Sequence, residues 1–214
     1  MLDGFIDYHP HDLGLVPELE TRNFLEFMRK RRTVREFSRR PVDRAVLLRC
    51  IEAAGTAPSG ANSQPWFFAL IESSELKARI RSAAEKIEEH FYHAAAPERF
   101  LADLRPLGTN ESKPYLTEAP ALILVFSKRK TLDQASYYPI ESTGIATGIL
   151  ITALHHAGLV AVTHTPNPMS FLNEVLGLDS SFRPHLIVAT GHAHDNARVP
   201  DLGRKSLGEI CRVY

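Results

Sequence analysis

The chain has 214 residues, with 25 Lys+Arg against 25 Asp+Glu, 44% hydrophobic residues and 2 cysteines. A chain of this length buries about 70% of its unfolded surface, enough for one globular core without a disulfide or metal staple. Zero net charge excludes the long-range field of a general nucleic-acid binder, and two distant cysteines, Cys50 and Cys211, exclude a zinc ribbon or a secreted disulfide framework.

The longest apolar run, Ala119 to Phe126, carries Pro120 and is far shorter than the ~20 residues of a membrane span, so it reads as a buried strand. The N-terminus, MLDGFIDYHPHDLGLVPELE, lacks the basic start and apolar stretch of a signal peptide. A cytoplasmic protein with reduced thiols, bound to neither membrane nor nucleic acid, is expected.

Residues 1 to 16 have no periodicity and read as an arm ordered, if at all, by lying on something else. A helix follows, capped by Thr21 or the acidic turn before it, with Phe24, Leu25, Phe27 and Met28 as its stripe. It runs into a basic burst in which every residue from Arg29 to Arg35 except Thr33 and Val34 is cationic. Pro41, Val42 and Asp43 open a second helix through Val46, Leu47, Cys50, Ile51 and Ala54, which Gly55 closes. A Gly- and Pro-rich loop, residues 54 to 66, feeds a strand from Trp66 to Ile71. Ser73 or Ser74 starts a helix to about Tyr92, and residues 93 to 113 are less regular. A strand at 121 to 126 precedes a helix from Glu141 to His156 that is apolar on nearly all sides, as a central buried helix should be. Leu159 to Val162 and Leu186 to Ala189 are short strand-like runs; a small helix from Ser170 to Leu176 stops at Gly177, and Ser206 with Glu209 forms a capping box. The order predicts an α+β fold whose central sheet is covered by helices. With neither a G-x-G-x-x-G nor a Walker A sequence, it is no Rossmann or P-loop alternation.

Three segments can carry chemistry. The basic burst is either a solvated helix end favoured by the macrodipole or a phosphate site, where Arg31, Arg32 and Arg35 offer planar forks and Arg204 with Lys205 closes the other side. The loop Ala57-Pro58-Ser59-Gly60-Ala61-Asn62 is either an ordinary connection or a place where backbone N–H groups approach a planar ligand. Thr163-His164-Thr165-Pro166 is either a plain strand end or a set of hydroxyls facing a cofactor edge. No histidine pair has metal-ligand spacing, Ser59 sits in no nucleophile elbow, and Cys50 reads as a buried small hydrophobe. No metal is expected.

RRTVREF (31 to 37), TAPSGANSQPWFF (56 to 68) and HAGLVAVTHTP (156 to 166), in this order and spacing, resemble the nitroreductase family of FMN enzymes. The likeness runs from about Phe24 to the C-terminus. YLTEAPALILVF (115 to 126), YYPIESTGIATGILITAL (137 to 154) and VPDLGRKSL (199 to 207) narrow it to the iodotyrosine deiodinase branch.

The resemblance implies a nitroreductase-like fold with a mixed central sheet in a domain-swapped homodimer. Residues 1 to 20 and 199 to 214 would embrace the partner subunit, residues 21 to 198 would form the FMN domain, and a lid would span about 74 to 113. It assigns the FMN phosphate and ribityl chain to Arg31, Arg32, Thr33, Val34 and Arg35, with Arg204, and the isoalloxazine to Pro58, Ser59 and Gly60. Thr163, His164 and Thr165 would line the flavin, with the Thr165 hydroxyl at N5 as the catalytic contact; His164 replaces a threonine of the animal enzymes. The resemblance gives Glu88 the substrate ammonium, Lys113 its carboxylate, Tyr92 a hydrogen bond in the same clamp, and the Ala61 N–H the phenolate. Glu88 and Tyr92, at i and i+4, share a helix face. The implied reaction is reductive dehalogenation of 3-halotyrosines, with electrons from a reductase or NAD(P)H. The alternatives are a broad NAD(P)H-dependent nitroreductase or flavin reductase, and a non-catalytic flavin-binding module.

Overall fold

A computed structural model describes residues 6–8, 14, 16–129 and 137–214. The chain divides into two units, residues 1–31 and 32–214. The first holds helix α1 (Pro17–Arg29), which begins four residues before Thr21 because Pro17 at the first helical position needs no hydrogen-bonded N–H. Thr21 lies inside the helix, its hydroxyl donating to the Pro17 carbonyl at 2.8 Å. Phe24 and Leu25 are exposed, and α1 has no buried residue.

The second unit is built on a sheet of β1 (Trp66–Ile71), β2 (Ala121–Lys128), β3 (Val160–His164) and β4 (Phe182–Gly191), in the order β1-β2-β4-β3. All three strand pairings are antiparallel. The mixed character expected of the sheet reduces to one parallel bridge beside it, Thr33 with Ala161.

Strand alternation divides the core into two layers. Leu122, Leu124 and Phe126 of β2 join Ile80, Ala84, Tyr115, Leu116 and Leu172 on one face, whereas Ala121, Ile123 and Val125 join Leu47, Cys50, Leu150 and Leu154 on the other. An apolar run with no polar alternation fits a strand buried on both sides. Helices α2 (Arg44–Ala54) and α6 (Pro139–His156) cover the second face; α3 (Ser74–His90), α5 (Tyr115–Glu118) and α7 (Phe171–Leu176) cover the first.

Local signals set most boundaries. Asp43 caps α2 by accepting from the Ala45 N–H at 2.8 Å, Ser73 caps α3 through the Leu76 N–H at 3.3 Å, and Gly177 ends α7 at φ 67°. The Ser206–Glu209 capping box opens α8 (Leu207–Ile210). The irregular stretch after α3 resolves into a π-helical turn (Phe91–Ala95), α4 (Glu98–Leu104) and a 3₁₀ turn (Arg105–Leu107).

Candidate active site

The Arg motif enters unit two alongside the sheet. The Val34 N–H donates to the Ala161 carbonyl at 3.3 Å and Val34 is buried, so Thr33 and Arg35 flank an anchored residue beside β3. Past Phe37 the segment pairs with the chain's return: the Ser38 N–H donates to His192 O at 2.9 Å, and the Arg198 N–H to Glu36 Oε2 at 2.6 Å. Arg32 donates to the Pro200 carbonyl. These bonds tie residues 198 and 200 to the Arg motif, four residues before the exposed Arg204. Arg31 closes the first unit, its N–H donating to Met28 O at 3.1 Å, while Arg29 is paired with Glu26 in solvent.

The Pro58–Gly60 loop has a fixed shape. Ala61 and Asn62 adopt φ 49° and 54°, the Ser63 N–H donates to Gly60 O at 3.0 Å, and the Ser59 hydroxyl accepts from the Gln64 N–H at 2.9 Å. Left-handed non-glycine residues cost on the order of 1 kcal/mol each, so this turn is held by its surroundings. Gly60 has no substitute: a Cβ there would sit 2.8 Å from Tyr137 Cβ and 2.9 Å from its carbonyl.

The clamp residues meet in one cavity of about 440 Å³, whose walls include Arg35, Glu88, Tyr92, Lys113, His164 and Thr165. Glu88 Oε2 pairs with Lys113 Nζ at 3.2 Å, with side chains only 13% and 3% exposed. Lys113 Nζ lies 5.1 Å from the centre of the Tyr92 ring and donates to Thr109 Oγ1 and the Asn110 carbonyl. Burial holds the Lys113 ammonium pKa below its ordinary value, the Glu88 carboxylate opposing the shift without overcoming it. Glu88, Tyr92 and Lys113 thus line one cavity.

Strand alternation splits the Thr163-His164-Thr165 triplet. His164 shares its face with Val162, on the α3 and α5 side of the sheet, whereas Thr163 follows Ala161 on the other. The Thr163 and Thr165 residues are exposed, and the His164 imidazole is buried against the Tyr115 ring, centroids 5.9 Å apart. All three residues nevertheless line the same cavity, the imidazole from its buried side. Burial, then the charges of Lys113 and Arg35, lower its pKa to about 3.

One supporting residue escapes notice in the sequence. Glu85 Oε1 accepts from the Lys113 N–H at 2.6 Å and from Arg81 Nε at 2.8 Å, and Arg81 in turn reaches Thr117. Burial raises the Glu85 pKa, but these bonds outweigh it and hold the carboxyl below its ordinary value. Glu85 thus pins the Lys113 backbone to α3 one turn before Glu88. Its i, i+3 relation to Glu88 was the available signal. Lys77, Ile80 and Ala84 are buried, which fixes this part of α3 in the core.

The fit to a flavin phosphate and its ring is chemical. The donor set comprises the guanidinium forks of Arg32 and Arg35, exposed hydroxyls on Thr163 and Thr165, and a glycine loop that admits no Cβ. Among the described residues no group of three or more His, Cys, Asp or Glu is placed to hold a metal ion.

The family model described as Nitroreductase family matches residues 28–192. An iodotyrosine deiodinase of Haliscomenobacter hydrossis is 44% identical over 200 residues, covering 91% of this chain and 90% of that protein. One from Hydra vulgaris is 39% identical, covering 97% and 79% respectively. A crystal structure of oxidized iodotyrosine deiodinase bound to FMN and 3-iodo-L-tyrosine superposes with a TM-score of 0.76 at 32% identity, covering 85% of this chain and 95% of that one.

Proposed function

The chain belongs to the nitroreductase family, and from that premise we propose that it is an FMN-dependent reductive dehalogenase that converts 3-halotyrosines such as mono- and diiodotyrosine to tyrosine and halide. The observation that carries the reading is the buried Glu88–Lys113 pair, set with Tyr92 and Arg35 around one cavity. A zwitterion is the ligand such a pair exchanges for most readily. Its ammonium takes Glu88, its carboxylate takes Lys113, and one internal ion pair becomes two with no buried charge left over. A nitroaromatic offers no such exchange.

Bound FMN supplies the two electrons that, with one proton, replace the carbon–halogen bond by carbon–hydrogen and release halide. The chain's own part is binding and orientation. Arg31, Arg32, Thr33, Val34, Arg35 and Arg204 hold the phosphate and ribityl chain, Pro58, Ser59 and Gly60 line the ring, and Thr163 and Thr165 face its edge, with the Thr165 hydroxyl at N5. The Ala61 N–H takes the phenolate oxygen. Gripping a substrate by groups remote from its reacting carbon orders the lid and excludes water from the reaction.

The same reading makes the enzyme a cytoplasmic homodimer reduced by a reductase or NAD(P)H. Support for the dimer comes from apolar residues the single chain leaves exposed: Ile145 on α6, and Leu207, Ile210, Val213 and Tyr214 in the tail. Residues 199 to 214 would lie on the partner, as would residues 1 to 20, of which 1–5, 9–13 and 15 lie outside the described residues. The test is a titration of bound-flavin fluorescence with 3-iodotyrosine. Saturable quenching is expected; no response at millimolar ligand overturns the reading.

A further inference from the structure

The Glu88–Lys113 pair must open for a zwitterion to enter, and an opened carboxylate that is only 13% exposed needs another donor. The His164 imidazole faces its second oxygen: Nε2 lies 3.8 Å from Glu88 Oε1, a few tenths of an ångström beyond hydrogen-bond range. That Nε2 is buried and has no hydrogen-bond partner among the described residues. With its proton on Nε2 the neutral imidazole is a buried donor without an acceptor, which is costly, so a small swing of Glu88 off Lys113 satisfies both groups at once.

Resting on the function proposed above, we infer that His164 is a positioning residue that sets specificity for the substrate ammonium: its Nε2–H holds Glu88 Oε1, leaving Oε2 for the ammonium while Lys113 turns to the carboxylate. Several features agree. The residue pairs with Ile187 on the α3 face of β3 and lines the cavity that Glu88 and Lys113 share. Among the described residues the groups that face it are Glu88 from α3, Lys113 after the 3₁₀ turn, Tyr115 from α5 and Arg35 from the Arg motif, with Glu88 as the anion among them. Burial and the two cations keep the imidazole uncharged at neutral pH, so it orients the carboxylate without repelling the incoming ammonium. A threonine here would end at the γ position and fall short of Glu88, so the two residues are not equivalent at this site.

The test uses FMN-loaded protein and two ligands: 3-iodotyrosine, and 3-(4-hydroxy-3-iodophenyl)propionate, which lacks only the ammonium. His164→Leu is expected to weaken 3-iodotyrosine binding about ten-fold or more, read by flavin fluorescence, with little effect on the propionate. His164→Gln, whose amide N–H reaches about as far as Nε2, is expected to restore most of the loss, and His164→Thr is not. Unchanged iodotyrosine affinity in the Leu variant, or equal losses for both ligands, overturns the inference. If the Leu variant fails to fold or retain FMN, the Gln and Thr variants decide, and equal affinities overturn it. Absence of quenching by 3-iodotyrosine in the unaltered protein overturns the dehalogenase reading itself.

Discussion

Glu88 and Lys113 are ordinary residue types that only the resemblance singles out in the sequence, and the structure buries them against each other. Glu88→Gln or Lys113→Met should weaken 3-iodotyrosine binding on the order of a hundred-fold, the scale of a charge-assisted contact left unmade, while FMN stays bound. Fluorescence titration and the flavin absorbance of the purified variants check both halves. His164 makes a pH prediction. Its pKa is about 3 in the fold against the ordinary 6.5, so the unfolded chain binds the extra proton between those values. The stability is full above about pH 6.5 and is lost as pH falls toward 3, by about 2 kcal/mol at pH 5. In His164→Gln the fall in Tm between pH 7 and pH 5 should shrink by several degrees; an unchanged fall contradicts the assignment. No pattern in the sequence distinguishes His164 from its neighbours until β3 alternation assigns it a face.

The elements were more legible than the site. Asp43, Ser73, Gly177 and the Ser206–Glu209 pair mark helix ends by chemistry that acts within a few residues, and the structure places caps there. The Thr21 cap failed because Pro17 starts α1 earlier, whereas the apolar spacing of α3 already puts Ile80 and Ala84 on its inner face, where both are buried. By contrast, α5 is a four-residue turn that no periodicity announces. The resemblance supplied the clamp's membership; the geometry supplied Glu85, which ties the Lys113 backbone to α3. At the loop, Gly60→Ala should cost about 1–3 kcal/mol, because the new methyl meets the Tyr137 backbone and not a flexible side-chain end. A lowered Tm with weaker FMN retention is the expected result, and a Tm equal to that of the unaltered protein would contradict the close approach.

For the whole molecule, the zero net charge conceals a basic segment whose proposed partner is one small dianion. No helix of the described residues is long and apolar enough to cross a membrane. The proposed homodimer rests on the exposed apolar residues of α6 and the tail, and α6 also exposes Gly144 and Gly148, one turn apart, with nothing within 4 Å of a Cβ at either. Gly148→Arg therefore leaves room within the single chain. It should yield folded, largely monomeric protein that retains little FMN, seen by sedimentation; a flavin-bound monomer of the unaltered chain would contradict the dimer. The central claim is the reaction, and a single anaerobic turnover tests it most directly. Protein whose flavin is reduced by dithionite, freed of excess reductant and mixed with 3-iodotyrosine, should release one iodide and one tyrosine per flavin reoxidised. Flavin that stays reduced with iodotyrosine, yet is reoxidised by a nitroaromatic, would contradict dehalogenation and make this chain a nitroreductase.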